Sequence, residues 1–255
     1  MFDLTTGHLL FVHAHPDDET LATGGTIARL VDEGFRVSVL TATRGERGDI
    51  VPGSLAGRPV DDLVPVRLTE LASALTALGV QQHYWLGEPP ARADGAPARR
   101  YADSGMQWSA DGTAVPAADV SPDSLTAGSL EDESADLQAL INHIRPDLVI
   151  SYDPAGGYGH PDHVRVHRIA RSAARSAGTP FAVVIPPQLA DLDIAAADPE
   201  AGELITIDVA AQRNRLLEAL RGYRTQLEQV HPDHLVHVGG QWQEVATVEY
   251  FRRYR

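Results

Sequence analysis

A short unbroken apolar run followed by a helical repeat recurs along this chain, and that alternation limits the folds open to it. Leu9-Leu10-Phe11-Val12 and Leu148-Val149-Ile150 are such runs. They read as strands buried on both faces, because a half-exposed strand would alternate apolar with polar. The strands expected are His8 to His13, Arg36 to Ala42, Gln82 to Leu86, Leu148 to Tyr152, Phe181 to Ile185 and Leu204 to Val209. Between them, helical spacing predicts helices over Thr20 to Glu33, Val64 to Leu78, Leu130 to Ile144, His163 to Ala177 and Ala210 to Gln229. Asp18 or Thr20 reads as the first N-cap and Gly34 as the stop. Leu68, Leu71, Leu75 and Leu78 share one face of the second helix. Strands alternating with helices specify an α/β fold: a mostly parallel, doubly wound sheet with helices on both faces.

Two strand ends carry the chemistry. The first run leads into His13-Ala14-His15-Pro16-Asp17-Asp18-Glu19, and Pro16 stops the ladder there. The run at 148–152 leads into Asp153-Pro154-Ala155-Gly156-Gly157-Tyr158-Gly159-His160-Pro161-Asp162-His163. Ligands of open α/β sheets bind outside the carboxyl ends of strands. If these two strands are neighbours, imidazoles and carboxylates converge on one site. Nitrogen and oxygen donors suit zinc, and three protein ligands with an open fourth position define a catalytic rather than a structural zinc.

Charge and cysteine usage narrow the partners. With 35 acidic against 21 basic residues the net charge is -14, which excludes the basic footprint of a nucleic-acid binder and disfavours an anionic membrane surface. There is no cysteine, so disulfides and thiolate ligands are out, and a reduced, cytoplasmic setting fits. No apolar stretch is long enough to span a bilayer. Gly24-Gly25 lacks the G-x-G-x-x-G spacing, which argues against a dinucleotide. The 255 residues read as a single domain. Within it, residues 87–126 form a Gly-, Pro-, Ala- and Asp-rich stretch, too long for a plain connection and read as a lid. The C-terminal segment 186–255 is the least determined, with Pro186 to Glu203 irregular and Glu249 to Tyr254 open between a terminal helix and a strand packing on the body, and a homo-oligomer is open.

The pair of motifs, Ala14-His15-Pro16-Asp17-Asp18-Glu19 and Gly159-His160-Pro161-Asp162-His163, resembles the LmbE-like (PIG-L) family of zinc-dependent N-acetylglucosamine deacetylases. Tyr152 to His163 is most similar to the mycothiol branch, which holds a deacetylase of N-acetylglucosaminyl-inositol and a mycothiol S-conjugate amidase. Asp103-Ser104-Gly105-Met106 is similar to a lid motif of the deacetylase, and Gly45-Glu46-Arg47-Gly48-Asp49 to the amidase. The resemblance implies a Rossmann-like fold and hydrolysis of the N-acetyl amide of a small N-acetylated sugar. It implies zinc, with iron(II) as the alternative, on His15, Asp18 and His163. It also implies Asp17 as general base, His160 and Tyr158 beside the scissile carbonyl, and Arg67, Asp49 and Asp103 as sugar or inositol contacts. A natural-product glycoside deacetylase would share this site, and a non-catalytic metal-binding α/β module is the rival of another class.

Each residue has a plainer role to set beside these. Asp before a helix is commonly an N-cap. His160, if imidazolium, would stabilise an oxyanion or donate a proton. Asp162 reads as the carboxylate behind a metal-binding histidine. Arg67 is equally an ordinary solvated arginine, and His13 a satisfied core histidine. His167 has the i,i+4 spacing from His163 but reads as a helix-surface residue. His231-Pro232-Asp233-His234 copies the second motif's letters without a preceding apolar strand, and reads as an exposed turn.

Overall fold

The computed structural model describes residues 2, 5–57, 59, 63–110, 114–190 and 201–254. Parts of the expected lid (111–113) and of the C-terminal segment (191–200 and 255) lie outside them. Seven strands form the main sheet: β1 (His8–His13), β2 (Arg36–Thr41), β3 (Gln82–Trp85), β6 (Leu148–Tyr152), β7 (Phe181–Ile185), β8 (Ala201–Asp208) and β12 (Val248–Tyr254). Their order is β3-β2-β1-β6-β7-β12-β8. The pairs β3/β2, β2/β1, β1/β6 and β6/β7 are parallel, whereas β12 runs antiparallel to both β7 and β8.

Among the described residues five α-helices cover it: α1 (Asp18–Asp32), α2 (Leu63–Leu78), α3 (Leu130–Ile144), α4 (Pro161–Ala177) and α5 (Arg213–Gly222). They divide the core in two. Leu9 and Phe11 of β1 pack with α1, α2 and α5, including Ile27, Leu71 and Leu216. Leu10 and Val12 face the other way, onto α3 and α4, among Leu137, Leu140, Val166 and Ile169. Successive strand residues point to opposite faces, so a strand serving two cores is apolar at every position. That is why β1 and β6 read as unbroken runs.

The chain winds from β1 outward through β2 to β3, then returns to place β6 on the other side of β1. Leu9, Leu10 and Phe11 pair with Leu148, Val149 and Ile150. This reversal is a topological switch point, where open α/β sheets leave a crevice beyond the strand ends. Both motifs therefore sit at its lip.

Several expectations need correction. The last helix ends at Gly222 rather than Gln229, and residues 227–230 are a strand instead. That strand, β9 (Leu227–Val230), joins β10 (His234–His237) and β11 (Trp242–Glu244) in a small antiparallel sheet. His231-Pro232-Asp233 forms its exposed β9–β10 turn, as the sequence reading has it, whereas His234 opens β10 and is half-buried. Leu68 is exposed, off the buried face of α2. His167 is buried, with Nδ1 2.8 Å from the Tyr152 carbonyl oxygen, because that face of α4 packs on β6. The 87–126 stretch carries a short hairpin, β4 (Met106–Trp108) with β5 (Ala114–Pro116), and is anchored by buried Ala91, Tyr101 and Leu125. The Tyr101 hydroxyl donates to Asp136 on α3 at 2.8 Å.

Candidate metal centre and active site

The first motif turns sharply out of β1. Asp17 is the N-cap of α1 with φ 111° and ψ -31°, a backbone conformation that costs a non-glycine residue energy and is held only by its surroundings. Its carbonyl oxygen accepts from the N–H groups of Thr20 and Leu21 at 3.0 and 2.9 Å, but its side chain makes no capping bond. The sequence expectation of Asp18 or Thr20 as cap is thus off by at least one residue. Both Asp18 and Glu19 are buried in the first turn of α1, where the helix dipole favours carboxylates.

The second motif also opens a helix. His160 is the N-cap of α4, its Nδ1 accepting from the Asp162 N–H at 3.1 Å, with Pro161 at the first helical position. Gly156 has φ 67°, and a Cβ there would lie 2.7 Å from Val164 N and 2.8 Å from His163 Cβ. Only glycine lets the loop close this tightly, and His163 Nδ1 lies 3.3 Å from the Gly156 carbonyl oxygen as a result.

The two motifs meet at Asp18. Its Oδ2 lies 3.2 Å from His15 Nδ1 and 3.3 Å from His163 Nε2. Each histidine has its other ring nitrogen engaged: His15 Nε2 is 3.1 Å from Asp162 Oδ2, and His163 Nδ1 faces Gly156. Metal-binding histidines are held in this way, with the far nitrogen fixed by a carboxylate or a carbonyl. His163 Nε2 is buried and has no hydrogen-bond partner. Donors bound tetrahedrally at about 2.0–2.1 Å stand about 3.3 Å apart, which matches the two separations found. The donor set fits a divalent metal ion.

Two groupings have all their donor atoms within 4.8 Å of one another, His15 with His160 and His163, and His15 with Asp103 and Asp162; the set His15, Asp18 and His163 is not among them, although Asp18 Oδ2 lies within 3.3 Å of each histidine. Hydrogen bonds already engage some of their atoms, as the His15 N–H and the Tyr152 hydroxyl engage Asp18 Oδ2 at 2.9 and 2.8 Å. His160 Nδ1 caps α4, and Asp162 Oδ2 accepts from the Ser104 N–H at 3.0 Å as well as meeting His15. The Asp103 oxygens accept from Gly105 and Arg47 N–H groups at 2.7 and 3.1 Å.

The surrounding charges follow from burial and neighbours. Burial pushes the Asp17 carboxyl well above the usual range, and the Asp18 and Glu19 charges push the same way against Arg67 and His15. A divalent cation beside Asp18 would oppose that rise. Burial, then His15 and His163, bring His160 down to about 3. The ring caps its helix as a neutral acceptor at Nδ1 and keeps its proton on Nε2, so the imidazolium expected from sequence is opposed by the geometry.

The remaining expected residues divide. Asp103 is buried, with Oδ1 3.8 Å from His15 Nε2. Tyr158 is 56% exposed, its ring 5.3 Å from His163 and 6.1 Å from His160. Asp49 is exposed on the loop after β2. Arg67 is 1% exposed, so the solvated alternative is wrong: its guanidinium donates to the carbonyl oxygens of Gly45, Gly48 and Asp49 and shapes that loop. His13 is a core histidine, Nε2 3.0 Å from Thr23 Oγ1.

Sequence reasoning missed Tyr152 and the partners of Glu19. The Tyr152 hydroxyl accepts from the Ala14 N–H at 2.8 Å and donates to Asp18 Oδ2 at 2.8 Å. Its ring stacks on His163 at 4.2 Å and 8°. A tyrosine ending a strand, four residues before the first motif glycine, carries no local sign of such a role. Glu19 accepts from the Tyr223 hydroxyl, 204 residues away.

Fold and site together define a doubly wound α/β protein with a metal-competent His/Asp centre at its switch point. The GlcNAc-PI de-N-acetylase (PIG-L) family model matches residues 10–174, and the chain belongs to that family. The 1D-myo-inositol 2-acetamido-2-deoxy-alpha-D-glucopyranoside deacetylase of Saccharomonospora viridis is 38% identical over 270 residues, covering 95% of this chain and 93% of that one. The enzyme of the same name from Kineococcus radiotolerans is 48% identical over 159 residues, but the match spans only 42% of its length and 62% of this chain. A deacetylase solved in complex with teicoplanin superposes with a TM-score of 0.63 at 19% identity, covering 96% and 97% of the two chains, and shows the shared fold. No helix among the described residues is long and apolar enough to cross a membrane.

Proposed function

We propose that this protein is a metal-dependent deacetylase that hydrolyses the N-acetyl amide of an N-acetylglucosamine-containing small glycoside, with N-acetylglucosaminyl-inositol as substrate. The observation that carries the chemistry is the meeting of His15 Nδ1 and His163 Nε2 on Asp18 Oδ2 at 3.2 and 3.3 Å. The near full-length similarity to the Saccharomonospora deacetylase supports the substrate.

In this reading His15, Asp18 and His163 hold one ion, zinc by its nitrogen and oxygen donors, with iron(II) as the alternative. A divalent ion there supplies Lewis-acid activation of water and of the amide carbonyl. Asp17 takes the proton of the attacking water, and that proton passes to the leaving nitrogen as the C–N bond breaks, giving acetate and a free amine. His160, its proton on Nε2, and the Tyr158 hydroxyl donate hydrogen bonds to the carbonyl oxygen as charge develops there. Asp162 orients His15. Asp103 and Asp49 contact the sugar or inositol, and Arg67 holds the loop that carries Asp49. The chain acts as one domain, and the 87–126 stretch is its lid, tied to the site through Ser104 and Asp103. A cytoplasmic setting belongs to the same reading.

The test is to assay free amine from N-acetylglucosaminyl-inositol, plain N-acetylglucosamine and a mycothiol conjugate. Activity should be highest on the first. Asp17→Asn should lower kcat by about 10²- to 10⁴-fold with metal still bound. No amine from any substrate, with metal loaded, would refute the proposal.

A further inference from the structure

Asp17 holds a backbone conformation that its own helix does not enforce. One side chain of a distant segment meets the peptide group that precedes it, and a second reaches that peptide through Glu19. The Pro16 carbonyl oxygen accepts from Gln226 Nε2 at 2.8 Å. The Asp17 N–H donates to Glu19 Oε2 at 3.1 Å, and the other oxygen of that carboxylate accepts from the Tyr223 hydroxyl. Both polar atoms of the Pro16–Asp17 peptide are therefore fixed. The rotation that follows this plane is the φ of Asp17, at 111°.

The segment that supplies these contacts is itself well anchored. It leaves α5 at Tyr223, which is fully buried in the α1/α2/α5 core. The Thr225 N–H and hydroxyl donate to the two oxygens of Glu70 on α2, at 2.8 and 2.6 Å. The Thr225 carbonyl oxygen accepts from the Val51 N–H at 2.9 Å. A strained residue persists only when its surroundings over-determine it, and here they do so from residues more than 200 positions away.

We propose that the segment Tyr223–Gln226 is a clamp on the Pro16–Asp17 peptide, which makes Tyr223, Gln226 and Glu19 positioning residues for the Asp17 carboxylate. The inference rests on Asp17 acting as the base. Glu19 touches no reacting atom; it transmits the hold of Tyr223 to the Asp17 N–H. Gln226 acts on the opposite edge of the same peptide. Releasing one contact leaves the other, and releasing both lets the backbone at Asp17 relax toward an ordinary torsion. A misplacement of about 1 Å costs on the order of a hundredfold in rate.

Tyr223→Phe, Gln226→Ala and the double variant are compared with the wild type, each also in an Asp17→Asn background. Kinetics on N-acetylglucosaminyl-inositol and metal content per chain are measured together. Each single variant should lower kcat roughly tenfold and the double roughly a hundredfold, with KM within about twofold and metal content unchanged. In the Asp17→Asn background the same changes should cost nothing further, because the carboxylate they aim is gone. A purely structural role would lower activity equally in both backgrounds, and that additive result overturns the clamp. Wild-type kcat in the double variant overturns it too. Full activity of Asp17→Asn alone would instead sink the assignment of the base, and the clamp with it. Tyr223→Phe keeps the ring that fills the core, and Gln226→Ala lies at its edge, so the second variant decides the matter if the first folds poorly.

Discussion

Tyr152→Phe removes one oxygen atom and separates two effects that converge on the metal centre. That oxygen accepts from the Ala14 N–H and donates to Asp18 Oδ2, each at 2.8 Å. Ala14 is fully buried, so its N–H is left without a partner, at about 1–3 kcal/mol of folding stability. Asp18 loses one of the donors that hold its carboxylate, keeping the His15 N–H at 2.9 Å. Loss of such an outer contact weakens metal affinity about 10- to 100-fold, or about 1.4–2.8 kcal/mol. The phenyl ring still stacks on His163, so the site should loosen without collapsing. Chelator competition on the refolded apo-protein would give the metal Kd, and the absorption of a cobalt(II)-loaded sample would report ligand geometry. A variant that melts lower yet binds metal within twofold of wild type would refute the reasoning: Tyr152 would then serve packing alone.

Further outcomes follow from the same geometry. His15→Ala or His163→Ala should reduce bound metal from about one ion per chain to near zero in elemental analysis, and His234→Ala should leave it unchanged. The opposite pattern would move the site to the β9–β10 turn. Glu249 is buried, accepts from the Gly25 and Thr26 N–H groups at 2.8 and 2.9 Å, and is raised by burial from 4.5 to about 7. Its folded form retains the proton longer, so its contribution to stability is greatest below about pH 4.5 and declines as pH rises to about 7, by up to roughly 3 kcal/mol. The unfolding free energy of wild type minus that of Glu249→Gln should therefore fall across this window in denaturant titrations, and a flat difference would contradict the buried protonated carboxyl.

What the sequence made legible was what one segment decides alone. β1, β6 and β7 serve cores on both faces, and their unbroken apolar runs said so. That the His- and Asp-bearing ends of β1 and β6 would face one site was legible because each follows an apolar run, and the two strands pair side by side; the choice of His15, Asp18 and His163 among those side chains rests on the family resemblance. What depends on a distant partner was hidden. Nothing local in Glu249-Tyr250-Phe251-Arg252-Arg253-Tyr254 says that it enters the main sheet between β7 and β8. The helix expected to reach Gln229 ends at Gly222 because Tyr223, Thr225 and Gln226 are engaged by Glu19, Glu70 and Pro16. His167 looked like surface because helical spacing marks a face without naming what covers it.

Two helices begin at the centre, and this explains why acidic groups tolerate burial there. Asp18 opens α1 and Asp162 lies in the first turn of α4, so both carboxylates sit at positive helix ends. The same ends favour the negative charge that develops on an amide oxygen during hydrolysis. Dipoles supply field but little aim, and aim is what Asp17 requires. The family match ends at residue 174, whereas Tyr223 and Gln226 lie beyond it. On the proposed reading the chemistry of the centre belongs to the two motifs, while a later part of the chain orients Asp17. Relatives that share the motifs but replace the α5–β9 connection should bind metal equally well and differ in kcat.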